Sequence, residues 1–216
     1  MARGFVRRGD ELVAALTPPE RVVVAQLAGD VVELLAGEDV DEADTEVPGD
    51  AQDPLEVVLE AISRPAARPA DPALLLLLPD ATDEPEAAEE FRRYTEDELR
   101  HRKVSRLLDL GKRMLACDPD GDADTPYELV VALENAEEVA AAMTDLRLVL
   151  ASRLGIADDD QAAALYDELV EPSEGEDVRH FIGAAFVLLG ALQESLTDCL
   201  LADLPARPPG RRPSNR

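Results

Sequence analysis

Two cysteines, two histidines and a cluster of arginines are the side chains of this sequence whose types could do chemistry. A thiol meets oxidants as the thiolate, so the surroundings that set its pKa decide its reactivity. Cys199, in "LQESLTDCLL", follows Asp198 near the negative C-terminal end of a helix in an acidic chain, and both features raise its pKa. It also lies at the edge of an apolar stripe formed by Val178, Phe181, Ala185, Leu189, Leu192 and Leu196, so packing is its first expected duty. Cys117 ends its helix off the stripe centre, four residues after Arg113, and is the better first contact for an oxidant. The thiols stand 82 positions apart, which makes neither a disulfide framework nor a C-x-x-C motif. Pairing would require their Cα atoms to come within about 7 Å.

The other reactive types are sparse. His101 sits among arginines and His180 opens an apolar helix face. Neither has a Cys or His at zinc-ligand spacing, so surface or packing roles are expected. "DPDGDAD" puts Asp118, Asp120, Asp122 and Asp124 on alternate positions. A calcium loop needs glycine at its sixth place and glutamate at its twelfth; here Ala123 and Leu129 stand there, which favours a solvated loop. No G-x-S-x-G, H-E-x-x-H, P-loop or G-x-G-x-x-G occurs. The expectation is a non-enzyme with no catalytic residues, cofactor or metal.

Charge is unevenly distributed. The formal net charge is −26, which repels nucleic acid and anionic membrane unless bases are segregated. Residues 29–60 carry twelve acids and no base, and residues 118–138 carry eight acids and no base. Residues 92–113 reverse this, with eight bases against four acids. Arg92, Arg93, Arg100, Arg102, Lys103 and Arg106 are therefore a candidate partner or nucleic-acid surface. Against a recognition helix, these bases mostly alternate with acids and core positions, and Gly111 falls within the apolar stripe rather than in a turn. A salt-bridged surface is the commoner outcome for such a helix.

The helix "TDLRLVLASRLG" adds a sharper signal. Val139, Met143, Leu146, Leu150 and Leu154 centre its stripe, with Arg147 and Arg153 close beside it. Neither arginine has an acid three or four residues away in its helix, so each should meet a carboxylate or helix end from another element. Glu194 and the carboxylates of "YTEDE" are candidate partners, and Asp145 joins this set of ion-pair or partner contacts.

These residues need positioning elements. "FVRRGDELVAAL" permits a short hairpin about Gly9-Asp10. Thr17, the following prolines and Glu20 make a capping box for a helix ending at Gly37. An acidic loop at 38–52, a short helix from Pro54 and a proline-rich connector lead to "ALLLLLP", expected as a buried turn or two of helix. A helix follows from Glu84, with "TEDE" expected to restart or bend it, and "YELVVAL" is compatible with a strand pairing with the hairpin. Further helices are expected to Gly155, over 159–170 and over 176–203, before a disordered basic tail from 205. The fold class is mainly α: a single helical bundle over residues 1–204, with room for a small N-terminal β-hairpin. The N-terminus lacks a signal-peptide apolar region and the longest apolar run, residues 181–192, is too short for a membrane, so a cytoplasmic location is expected.

Several stretches carry a resemblance. "PERVVVAQL", "LLPDATDEPEAAEEFRRYTEDELRHRK", "TDLRLVLASRLGI" and "LLGALQESL" resemble, in order, the blocks of an actinobacterial domain-of-unknown-function family that includes the actinomycete oxidative stress regulator. The chain lacks the tryptophan usual near "LLGALQ", a departure in packing rather than chemistry. The resemblance implies a cytoplasmic, non-catalytic regulator linked to oxidative stress and cysteine supply, acting through an RNA polymerase sigma factor. It also implies redox sensing at Cys117 and Cys199, although their separation argues against a local thiol pair. The leading expectation is a transcriptional or stress-response regulator working by protein-protein contact, its acidic surface seeking a basic partner. Direct DNA binding through residues 92–113, or a helical adaptor without a redox switch, are the alternatives.

Overall fold

A computed structural model describes residues 3–37, 69–116, 127–170 and 178–202. Gly9, at φ 65°, makes the left-handed turn that joins β1 (Arg3–Arg8) to β2 (Glu11–Leu16) as an antiparallel hairpin. β3 (Tyr127–Ala132) pairs antiparallel with β2, from Glu11 opposite Ala132 to Leu16 opposite Tyr127. The sheet order is β1-β2-β3, so the expected hairpin and its third strand both form. Between Arg3 and Val6 the register of β1 shifts against β2, and the edge strand there turns to another element for its hydrogen bonds.

Six helices accompany the sheet among the described residues: α1 (Pro18–Ala36), α2 (Pro72–Leu77), α3 (Pro85–Leu115), α4 (Ala136–Leu154), α5 (Asp159–Val170) and α6 (Val178–Ala202). At the start of α1 the Thr17 backbone N–H donates to Glu20 Oε2 at 2.8 Å, the reciprocal half of a capping box. Asp71 caps α2 by accepting from the Ala73 N–H at 2.7 Å. This helix buries Ala73 and Leu77, as expected of the leucine run. Gly155, at φ 71°, ends α4 in the left-handed conformation.

α4 is central, packing against α1, α2, α3 and α6. Val139, Met143, Leu146, Leu150 and Leu154 are all buried, the stripe its periodicity predicts. α1 and α3 meet where Gly111 faces Ala28; a Cβ on Gly111 would lie 3.8 Å from the Ala28 Cβ, so small residues set this close approach. α6 covers β1 and α4, and α5 packs on α6. Among the described residues α6 alone is long and apolar enough to cross a membrane, and one of its faces is taken up by these neighbours.

Two local expectations are corrected. "TEDE" does not restart the helix: α3 runs unbroken from Pro85 to Leu115, and the Thr95 hydroxyl donates back to the Phe91 carbonyl at 3.0 Å instead of capping a new turn. The apolar face of α6 begins at Gly183 and Ala185, because Val178 and Phe181 are 71% and 52% exposed. The acidic loop 38–52, the helix expected from Pro54, the 118–124 loop, Cys117 and the tail from 205 lie outside the described residues.

Candidate functional site: paired bases and a docked thiol

The basic stretch lies on one helix, α3, whose period of 3.6 residues sends its bases to different faces. Arg100 and Lys103 are buried rather than on a surface open to partners. Arg100 donates Nε and Nη2 to Glu96 Oε1 at 3.0 and 2.6 Å, and Nη1 to the Leu35 carbonyl, at the end of α1, at 2.5 Å. Lys103 Nζ lies 2.6 Å from Asp145 Oδ1, and Arg106 donates Nε to Asp145 Oδ2 at 3.0 Å. Asp145, 2% exposed on α4, therefore carries two cations from α3. Arg92 is mostly covered and pairs with Asp80, while its Nε stands 3.5 Å from Glu96 Oε2. That contact is ionic but too long and misaligned to satisfy Oε2 as a hydrogen bond.

Arg102 pairs with Glu98 on the exposed side of α3, and Arg93 is exposed with no partner among the described residues. Thus the six bases do not form one patch. Four of them hold α3 to carboxylates or to a helix end, and two face solvent. The expected salt-bridged helix exists, but half of its pairing is internal, because the neighbouring acids sit on the α4 face and on the inner face of α3. His101, beside them, has Nδ1 2.7 Å from the Asp97 carbonyl.

The two arginines of α4 separate. Arg153 makes a bidentate pair with Asp71, at 3.1 and 2.6 Å, joining the end of α4 to the cap of α2. Hydrogen bonding from Arg153 and, secondarily, from the Ala73 N–H holds the Asp71 carboxyl below its ordinary value, against an opposing effect of burial. Arg153 has thus found a carboxylate from another element, though it is Asp71 rather than Glu194 or the "YTEDE" acids. Arg147 has not. Its Nη1 donates to the neutral Gln193 Oε1 at 2.7 Å, its guanidinium lies 5.0 Å from the Phe186 ring centroid, and Nε is buried with no partner. Glu194 is exposed and makes no ion pair with it.

Cys199 is half-buried against the core, and its Sγ donates to the Phe5 carbonyl at 3.5 Å. One turn earlier on α6, Ser195 Oγ accepts from the Phe5 N–H at 2.8 Å. Both backbone groups of Phe5, left over by the irregular register of β1, are therefore taken by α6 side chains. The thiol holds the edge of the sheet to the last helix. Cys117, the other thiol of the sequence, lies outside the described residues.

Three ties were missed in the sequence. Arg21 Nε donates to the Met114 carbonyl at 2.8 Å and Nη2 to Ala116 at 3.1 Å, with its guanidinium 3.9 Å from the Tyr127 ring centroid. Arg179 pairs with Glu168 and donates Nη1 to the Leu154 carbonyl at 3.1 Å, at the end of α4. A readable signal existed for both: each base stands in the first turn of its own helix, where the macrodipole disfavours a cation. The third, Asp71 as partner of Arg153, had no local sign, since 82 residues separate them.

No groups of three or more His, Cys, Asp or Glu with metal-holding geometry occur among the described residues. No curated protein and no solved structure matches the chain. A family model does match, over residues 2–200, and the chain therefore belongs to the family described as Domain of unknown function (DUF2017).

Proposed function

We propose that the chain is a non-enzymatic regulator of transcription or stress response, acting in the cytoplasm by contact with a basic protein surface. The observation that carries this reading is the fate of the α3 bases. With Arg100, Lys103 and Arg106 spent on Glu96, Asp145 and a helix end, the helix presents no concentrated positive patch against the field of a chain whose net charge is −26. Such a field attracts a basic partner and opposes the phosphate backbone. The sequence blocks that resemble the family of the actinomycete oxidative stress regulator support a sigma factor as that partner. They also support redox tuning at Cys117 and Cys199. The position of Cys199 gives this a structural sense: oxidising Sγ would remove its donor to Phe5 and loosen β1 from α6.

Titration of purified actinobacterial sigma factors against the reduced and peroxide-treated chain tests the proposal. The expected result is a complex weakened by salt and changed in affinity by oxidation, with non-reducing peptide mapping reporting whether Cys117 and Cys199 pair. DNA affinity at physiological salt that is lost on substituting Arg93 and Arg102, with no sigma-factor complex, would overturn it in favour of direct DNA binding. An unchanged complex after oxidation would leave an adaptor without a redox switch.

A further inference from the structure

The mostly covered Arg92, Arg100 and Arg106 each meet a carboxylate; Arg147 does not, in a chain with 47 acids and 21 lysines and arginines. No carboxylate lies within 4.0 Å of it among the described residues, and its Nε is out of solvent without a partner. Its guanidinium forms one wall of an open groove of about 390 Å³. Tyr166 of α5 forms another wall, half exposed, its hydroxyl without a hydrogen-bond partner among the described residues. The floor is one face of α6, where Gly190, Gln193, Glu194 and Asp198 follow helical spacing.

Gly190 fixes where these groups converge. A Cβ there would lie 3.7 Å from Arg147 Cζ, 3.8 Å from its Nε and 3.7 Å from Tyr166 Oη. Guanidinium and phenol therefore flank the same point above a residue without a side chain. Gln193 is fixed beside the guanidinium, accepting from Arg147 and donating Nε2 to the Thr144 hydroxyl at 2.6 Å. Unspent donors thus gather at one end of the groove. At the other, Glu194 and Asp198 line the same space, both exposed and neither in an ion pair among the described residues. Positive and negative groups face one groove without neutralising each other, an arrangement complementary to a molecule carrying both charges.

We infer that this groove binds a small zwitterion of amino-acid or dipeptide class, its carboxylate on Arg147 and Tyr166 above Gly190 and its ammonium toward Glu194 and Asp198. The site is separate from the regulator reading and does not depend on it. Isothermal titration calorimetry of the full chain tests it, with L-alanine, L-leucine and alanyl-alanine as probes beside their N-acetyl and carboxamide forms. Saturable binding of at least one free probe with a Kd below about 10 mM is expected, weakened about tenfold or more by either modification. Gly190→Ala meets only ordinary contacts, so it should fold with unchanged or higher Tm while its methyl narrows the space between Arg147 and Tyr166 and weakens binding about tenfold. Tyr166→Phe, at an exposed hydroxyl, should weaken it without a change in Tm. Absence of saturable binding, binding indifferent to N-acetylation or amidation, or binding untouched by both Gly190→Ala and Tyr166→Phe overturns the assignment.

Discussion

Arg21 and Arg100 cap each other's helices. Arg100 of α3 donates to the Leu35 carbonyl in the last turn of α1, at 2.5 Å, and Arg21 of α1 donates to Met114 and Ala116 at the end of α3, at 2.8 and 3.1 Å. The last carbonyls of a helix have no intrahelical donor and carry the negative end of its dipole. A guanidinium from the neighbouring helix supplies both the missing donor and the opposite charge. α1 and α3 are thereby tied at both ends, around the close approach of Gly111 to Ala28.

The two caps differ in burial, so their removal should differ in cost. Arg100→Met leaves Glu96 buried with only the long Arg92 contact, and stability should fall by about 3–5 kcal/mol, the usual penalty for orphaning a buried charge. In a domain of this size that is roughly 10 °C in Tm. Arg21→Met removes two carbonyl bonds and a stacking contact but leaves no buried charge, and about 1–2 kcal/mol is expected. Urea unfolding of both variants checks the ranking; equal losses would refute the asymmetry.

Asp145 makes a second ranking. It is one acid between two cations, so Asp145→Ala should cost about 3–5 kcal/mol by leaving both Lys103 and Arg106 without it. Lys103→Met removes one cation and keeps the Arg106 pair, at a cost of about 1–2 kcal/mol. The double variant should lose less than the sum of the singles, because the residues are in direct contact. A thermal denaturation series measures this, and strict additivity would count against the shared buried pair.

How much of this was legible depends on sequence distance. The stripe of α4, the Gly9 turn, the "YELVVAL" strand and the helix ends at Gly37 and Gly155 follow from local patterning, and the structure contains each. The pairs of Arg100 with Glu96 and Arg102 with Glu98 are one helical turn apart and equally local. Lys103 with Asp145 spans 42 residues and Arg153 with Asp71 spans 82; such pairs are fixed by how helices cross, which periodicity does not encode. Arg147 shows the limit from the other side. Its lack of a local acid predicted a distant one, and a neutral glutamine took the place.

Gly4 is where the sheet edge meets α6 most tightly. A Cβ there would lie 2.7 Å from both Cβ and Oγ of Ser195, closer than real contacts allow, so β1 must move and surrender the Phe5 N–H bond to Ser195. Gly4→Ala should cost about 1–3 kcal/mol, as overpacking does. Gly111→Ala, whose nearest contact is 3.8 Å, should be neutral or gain up to about 1 kcal/mol from helix propensity. Because Cys199 donates to the same residue of β1, its alkylation by iodoacetamide in the native protein should accelerate in Gly4→Ala and stay unchanged in Gly111→Ala. Mass mapping of the labelled thiol reads both; equal rates would break the link between strand docking and thiol protection.

The Asp71–Arg153 pair predicts an acid-limb signature. Arg153 and, secondarily, the Ala73 N–H favour the ionised carboxyl, so its folded pKa lies below the ordinary value, about 3.9, that it regains on unfolding. Between those two values the unfolded chain binds more protons, so stability rises with pH. The contribution is fully present above the ordinary value and is lost as pH falls through the depressed one. The pair is partly open to solvent, with the Arg153 side chain 44% and that of Asp71 26% exposed, so its size is that of a screened surface interaction, up to about 1 kcal/mol. Asp71→Asn keeps a good helix cap while removing the charge. Its stability should fall below that of the parent at pH 6, and the gap should narrow as pH falls below the ordinary carboxyl value and shrink at high salt. Urea midpoints at pH 6 and along the acid limb, with and without salt, check this, and a gap that neither narrows with falling pH nor responds to salt would assign the loss to the cap rather than to the ion pair.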